Sequence, residues 1–311
     1  MNNKNVNMEL KNFRSNLDFF KNLYLDNKLP QSIILTGDKN IGKIELSYHL
    51  TNFILSQNEE TKYNSKLYKI NPHSKTFKLL SQNLHPNFFL ITPNVNKKNI
   101  DIPQIKNLQN FLYKSTFNNL PKIILINECE YLNLSSSNAL LKLLEEVYEN
   151  VFFILVHDIK KNLISTIKSR CILFKLILKS DEKKIKINEI LNNKYDIISP
   201  DFKNKYLSPI FYEDLLSYCF KNDLELENTD LDKLLFNIFS KKNFKKDEFV
   251  YNNLFLLIQL FLYKHFKNNP DNEKYFSKLK YFTKKFNDVI KYNLDFESFV
   301  LEFKYSIYNE K

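Results

Sequence analysis

Apolar residues recur along this chain in two rhythms. Between residues 9 and 27, Leu10, Phe13, Leu17, Phe20 and Tyr24 fall at steps of three and four, which predicts a helix that closes before Pro30. Short unbroken apolar runs follow at 32–36, 87–92, 122–127, 151–156 and 171–176. Such runs suit strands buried on both faces of a parallel sheet. Helical spacing lies between them. One stretch runs from Lys43 to about Gln57, and Ile105, Leu108, Phe111 and Leu112 form an apolar face behind Pro103. A helix over about 135–147 opens at Ser135, Ser136 or Ser137, and a short one covers 163–168. Residues 58–86 are polar and irregular, and read as a loop-rich insertion. The alternation predicts a doubly wound α/β module with about five parallel strands.

After about residue 178 the runs lose their strand character. Segments 181–193, 209–221, 229–241, 247–268, 271–292 and 295–309 read as helices, separated by polar stretches or by Pro200 and Pro270. The C-terminal part is therefore expected to be an all-helical bundle. No run of 18 apolar residues occurs, and the first 20 residues are polar and Asn-rich. A soluble cytoplasmic protein is expected, with no membrane span and no signal peptide.

Composition removes further classes. Cys129, Cys171 and Cys219 are too scattered for a disulfide framework or a CxxC zinc site. His49, His73, His85, His157 and His265 show no i, i+4 pairing, so no metal site is expected. No G-x-S-x-G or Cys/His spacing suggests a nucleophile. Lys and Arg outnumber Asp and Glu by 46 to 35, a net charge of +11. That field suits work near nucleic acid, but equally reflects a surface built by default from Lys and Asn.

The same bias makes rare residues informative. Average usage would give roughly 20 glycines in a chain this long, yet there are 2, beside one alanine (Ala139) and two arginines (Arg14 and Arg170). Both glycines stand in Gly37-Asp38-Lys39-Asn40-Ile41-Gly42-Lys43, directly after a predicted strand and before a predicted helix. This is the G-x-x-x-x-G-K phosphate loop in its required context. The next residue, Ile44, lacks the hydroxyl that would ligate Mg²⁺. The strand expected to face the loop ends in Asn127-Glu128, where an ATPase places Asp-Glu. An amide is a poor substitute for a carboxylate against a divalent cation. Hydrolysis by this chain is therefore not expected, although Lys43 and the loop amides leave room for weak ATP or ADP binding.

Arg170 stands in Lys168-Ser169-Arg170-Cys171, in a chain that uses Lys almost everywhere else. A guanidinium grips phosphate oxygens bidentately in a way Lys cannot copy. Two readings stay open: an arginine finger offered to a nucleotide on a neighbouring subunit, or a bridge to a carboxylate of its own domain. Glu145 and Glu146, at a predicted helix end, read as solvated.

Several segments together resemble a known family. They are Leu29-Pro30-Gln31-Ser32, His85-Pro86-Asn87, Ile102-Pro103-Gln104-Ile105-Lys106, Ser137-Asn138-Ala139-Leu140-Leu141-Lys142-Leu143-Leu144-Glu145-Glu146, and the stretch from Leu163 through Ser169-Arg170-Cys171. Over about residues 28–176 the chain is similar to delta prime subunits of the bacterial DNA polymerase III clamp loader, which are AAA+ proteins. The resemblance implies an AAA+ α/β domain (1–177), a small helical lid (178–222) and a helical collar (223–311). It also implies a pentamer with gamma/tau-type ATPase subunits and a delta subunit, acting on the sliding clamp and primer-template DNA. In such a complex this chain would be a stator that does not hydrolyse ATP, with Arg170, flanked by Ser169 and Cys171, as a finger in trans. Many members carry a four-cysteine zinc module after the phosphate loop. Residues 55–88 contain no Cys, so no zinc is expected. The stretch Leu207-Ser208-Pro209-Ile210 lacks the arginine of an ATPase lid. Two rivals are an active AAA+ ATPase and a basic DNA-binding protein.

Overall fold

The computed structural model describes residues 7–94, 97–204, 207–240, 247–268, 273–292 and 294–308. The five apolar runs become β1 (Ser32–Gly37), β2 (Phe88–Ile91), β3 (Lys122–Ile126), β4 (Val151–Asp158) and β5 (Ile172–Lys175). They form one parallel sheet in the order β2-β3-β4-β1-β5. Every residue of β1 and β3 is buried. β5 departs from expectation: Ile172 and Leu173 are about half exposed. Its apolar run reads like the others, but it lies at the sheet edge and pairs only with β1.

Side chains alternate across a strand, so each central strand feeds two cores. Ile33, Leu35, Ile123, Leu125, Ile154 and Val156 face one way, packing with α1 (Arg14–Leu25) and α2 (Lys43–Leu55). Ile34, Ile124, Ile126, Phe153 and Leu155 face the other, packing with α4 (Ile102–Leu112) and α5 (Leu134–Glu145). The doubly wound layering follows from that two-sided burial.

Local starts and stops differ from the sequence reading in three places. α1 begins at Arg14, because Phe13 adopts the left-handed conformation at φ +62° and interrupts the helix. The residues before it pair with the insertion instead, through Leu10 N–H to Tyr68 O (2.9 Å) and Ile70 N–H to Met8 O (2.8 Å). α5 starts just ahead of the serines, since the Asn133 side chain accepts the Ser136 N–H at 2.8 Å and takes the cap. Ser136 Oγ donates instead to Ile100 O, at 2.7 Å.

The insertion is also more regular than its composition suggests. It holds α3 (Lys75–Ser81), too short to register as periodicity. The Glu59 carboxylate accepts from Ser74 Oγ (2.8 Å), Thr76 Oγ1 (2.6 Å) and the N–H groups of Lys75 (3.0 Å) and Thr76 (2.8 Å). It thereby fastens residue 59 to the first turn of α3. Burial opposes the Glu59 charge, but these donors outweigh it and hold the carboxyl below its ordinary pKa. His85-Pro86-Asn87 is likewise a brace. His85 Nδ1 accepts the Asn87 N–H at 3.1 Å, while the buried Asn87 side chain donates to Phe117 O (2.8 Å) and Leu120 O (3.1 Å).

The chain divides into two compact units, 1–182 and 183–311, where the sequence reading placed the first boundary at 177/178. α6 (Ser165–Lys168) belongs to the first unit, and α7 (Ser180–Ile190) runs from its end into the second. The second unit continues with α8 (Pro209–Lys221), α9 (Leu231–Ser240), α10 (Glu248–Asn268), α11 (Glu273–Tyr292) and α12 (Phe296–Tyr308). Phe202, Tyr212, Leu234, Leu254, Ile258, Phe299 and Phe303 belong to one core there. The lid–collar division expected at 222/223 lies inside this unit, with core residues on both sides. Ser208 precedes α8 and Pro209 opens it; Pro270 lies outside the described residues. Among the described residues no helix is long and apolar enough to cross a membrane.

Candidate phosphate loop and surface arginine

The residues from Gly37 to Ile44 connect β1 to α2, and each glycine has its own reason. Gly42 sits at φ +106°, a conformation that side chains strain to adopt, and Asn40 supplies a second left-handed position at φ +58°. Gly37 is needed for space. A Cβ there would lie 2.5 Å from the Leu176 carbonyl oxygen and 2.8 Å from Ile41 Cδ1. That carbonyl follows β5, and the Leu176 N–H is fixed to Thr36 O at 2.7 Å. Gly37→Ala is therefore expected to destabilise the first unit by about 2–3 kcal/mol. Thermal unfolding of the variant beside wild type measures it, and an unchanged midpoint would show that the backbone yields.

Lys43 points back into its own loop. Its ammonium is buried and donates to Gly37 O at 2.8 Å and to Asp38 O. Burial pulls its pKa below the ordinary lysine value, opposed by the charges of Asp158, Glu130, Asp38 and Glu128. The loop is braced from outside as well, since Gly37 O also accepts the Ile159 N–H at 3.1 Å. Lys160 lies 3.9 Å from Asp38, and Lys39 lies 3.8 Å from Glu128. Ile44, partly buried, packs into the core shared with Leu10 and Phe13. Asn127 is half-buried at the end of β3, with its N–H on Ile91 O at 2.9 Å, and Glu128 follows at φ +52°.

Sequence reasoning missed the acid with the largest charge effect on Lys43. Asp158 ends β4 in register with Gly37, is 8 % exposed, and receives no mention in any motif. Chain order places β3 and β4 in succession, whereas sheet order sets β4 between β3 and β1. The strand beside the loop is therefore β4. The signal available was the Val-His-Asp end of its apolar run.

Arg170 lies at the opposite end of the strands, just before β5. β1 and β5 run parallel with Ile33 beside Ile172 and Thr36 beside Lys175. Arg170, two residues before Ile172, thus lies where strands begin, while the loop lies where β1 ends. At about 3.3 Å per residue, β1 alone separates the two by roughly 15–20 Å along the strand axis. The guanidinium is at the surface, its side chain 34 % exposed. Nε donates to Glu145 Oε1 at 2.7 Å, Nη2 pairs with the same oxygen, and Nη1 donates to Thr166 O at 3.1 Å. The own-domain bridge is thus formed, and Glu145, solvent-exposed as its place at a helix end suggested, supplies the carboxylate. Ser169 Oγ donates to Thr166 O at 2.9 Å. Cys171 is partly buried, and burial pushes its thiol up to about 11.

The structure therefore gathers Gly37–Ile44, Asn127 and Glu128 where the strands end and holds Ser169–Cys171 where they begin. Residues 14–180 match the family model described as DNA polymerase III, delta subunit. The DNA polymerase III subunit delta prime of Buchnera aphidicola is 29% identical over 248 residues, which cover 76% of this chain and 70% of that protein. The delta prime subunit of Pseudomonas aeruginosa is 30% identical over 139 residues, covering 45% of this chain and 40% of that one. Among solved structures, a DNA polymerase III gamma subunit-related protein from Thermotoga maritima aligns with a TM-score of 0.44 at 20% identity. That alignment covers 92% of this chain and 96% of the other.

Proposed function

This chain belongs to the DNA polymerase III delta prime subunit family, and from that premise we propose that it is the non-hydrolysing member of a clamp-loader complex, offering Arg170 in trans. Its neighbours would be gamma/tau-type ATPase subunits and a delta subunit in a pentamer. Through that assembly it would act on the sliding clamp and on primer-template DNA. The carrying observation is the placement of Arg170: it is exposed at the end of the strands opposite its own phosphate loop, so a triphosphate it reaches belongs to another chain. Its pairing with Glu145 is a surface one, on the order of 0–1 kcal/mol, and leaves N–H donors of the guanidinium for a phosphate.

The loop's own chemistry supports the other half of the reading. Ile44 and Asn127 supply neither hydroxyl nor carboxylate for Mg²⁺. Lys43, the residue that would reach for β- and γ-phosphates, is occupied by the carbonyls of Gly37 and Asp38. On this reading the chain's role needs no nucleotide of its own, and nucleotide binding here would have to displace those bonds.

Two measurements test the reading. The purified chain should show no Mg²⁺-dependent ATP turnover, and it should co-purify with the gamma- and delta-type subunits of its own organism in one assembly of defined native mass. Vigorous turnover by the chain alone would instead favour an active ATPase. Failure to assemble, combined with tight salt-dependent duplex binding in isolation, would favour a DNA-binding protein.

A further inference from the structure

Glu145 has no part in the phosphate-loop chemistry, yet it holds the one side chain on which the trans reading turns. An arginine carries five N–H donors. Here Nε and Nη2 face Glu145 Oε1 and one Nη1 hydrogen faces Thr166 O. Two N–H groups remain, one on each terminal nitrogen, uncommitted among the described residues. One anchor is a side-chain carboxylate and the other a backbone carbonyl, and both residues stand on helices. Glu145 is the last residue of α5, and the adjoining Glu146 O accepts Gln31 Nε2 at 2.8 Å, which ties that helix end to the start of β1. Thr166 lies in α6, and its carbonyl also receives Ser169 Oγ.

We propose that Glu145 is a positioning residue for Arg170: it orients the guanidinium before a neighbouring subunit arrives, leaving two donors for phosphate oxygens. This rests on the reading of Arg170 as a finger in trans. A free arginine side chain samples many rotamers, and ordering it at the moment of phosphoryl transfer would cost conformational entropy. A guanidinium already held by a carboxylate and a carbonyl loses less freedom on engagement. The pair is too exposed to serve as a fold stabiliser, with the Glu145 side chain 52 % exposed. Its consequence therefore lies in orientation.

The test uses the full chain in the reconstituted clamp-loader complex, with the ATP sites not served by this chain disabled at their phosphate-loop lysines. Glu145→Ala is expected to lower kcat for ATP about 10-fold, or about 1.4 kcal/mol, with KM within about twofold and with unchanged assembly and melting temperature. Glu145→Gln keeps an oxygen acceptor at the same reach and is expected to restore kcat to within about threefold of wild type. In an Arg170→Ala background, Glu145→Ala should add less than about twofold, because the side chain it positions is gone. Unchanged or raised turnover in Glu145→Ala, a Gln variant as poor as Ala, or a further loss on top of Arg170→Ala each overturns the proposal. If Arg170→Ala itself leaves turnover intact, the finger reading fails and this inference with it. Loss in Arg170→Ala without loss in Glu145→Ala removes the positioning role alone.

Discussion

Arg170→Ala is expected to leave this chain folded and incorporated in its complex, while lowering ATP turnover at the one site it serves by about 10³-fold or more. The two halves of that expectation have different physical sources. In the isolated chain, the substitution removes an ion pair and one hydrogen bond at a partly exposed position. Exposed pairs contribute on the order of 0–1 kcal/mol, so the melting temperature should move little. In the complex, the same guanidinium would meet negative charge that spreads over the transferring phosphoryl group in a site shielded from water. A 10³-fold loss corresponds to roughly 4 kcal/mol of transition-state stabilisation. Steady-state turnover of the reconstituted complex, with native mass to verify assembly, reads both quantities. Full turnover in an intact assembly would remove the finger assignment. Arg170→Lys should recover little, because an ammonium keeps the charge without the planar fork.

The second large effect is acid destabilisation of the first unit between about pH 6.5 and 4. His49 and His85 are buried, and burial lowers both ring pKa values to about 4 from an ordinary value near 6.5. The hydrogen bonds agree with neutral rings. Nδ1 of His85 accepts the Asn87 N–H, and His49 lies between Tyr63 OH at 2.9 Å and Asn7 O at 3.0 Å. In His49, the carbonyl calls for a proton on Nε2 and leaves Nδ1 to accept from the tyrosine. A depressed pKa means the unfolded chain binds more protons than the folded one. Stability is then complete above the unfolded pKa and is lost as pH falls toward the folded value. At pH 5 each histidine would cost about 2 kcal/mol, a large share of a typical domain's stability. Carboxylates held below their ordinary pKa, such as Glu59 and Asp18, lose their contributions in a more acidic window. Unfolding midpoints between pH 7.5 and 5 measure the slope. His85→Asn, which retains a short acceptor and cannot titrate there, should remove the share of it that His85 contributes, leaving that of His49 and of the buried His157, whose pKa burial also lowers. A flat profile over that range, or an undiminished slope in the variant, would contradict the assignment.

The candidate site was legible to the extent that backbone rules wrote it. Two glycines in a chain almost devoid of them marked the loop, because only glycine tolerates the φ of Gly42 and the close carbonyl beside Gly37. Ile44 and Asn127 were legible as lost ligands because the chemistry of a hydroxyl or a carboxylate is a property of the residue itself. Asp158 was not legible, since its charge matters to Lys43 only once β4 lies beside β1. The partner of Glu145 was not legible for a related reason: 25 residues of sequence separate it from Arg170, and the fold closes that gap. Glu59 is similar, standing in a polar stretch where nothing in the spacing says it will cap α3.

By itself, then, the order of residues determined the elements and their layering: unbroken apolar runs can be buried only inside a sheet covered on both faces, and three-four spacing only along a helix. Tertiary structure alone decided which strand lies at the edge, which acid surrounds the loop lysine, and which carboxylate holds the lone arginine where the strands begin. The reason is physical. Periodicity is a local property carried by neighbours in the chain, whereas charge and hydrogen bonding act through space, between groups that only the folded backbone brings together.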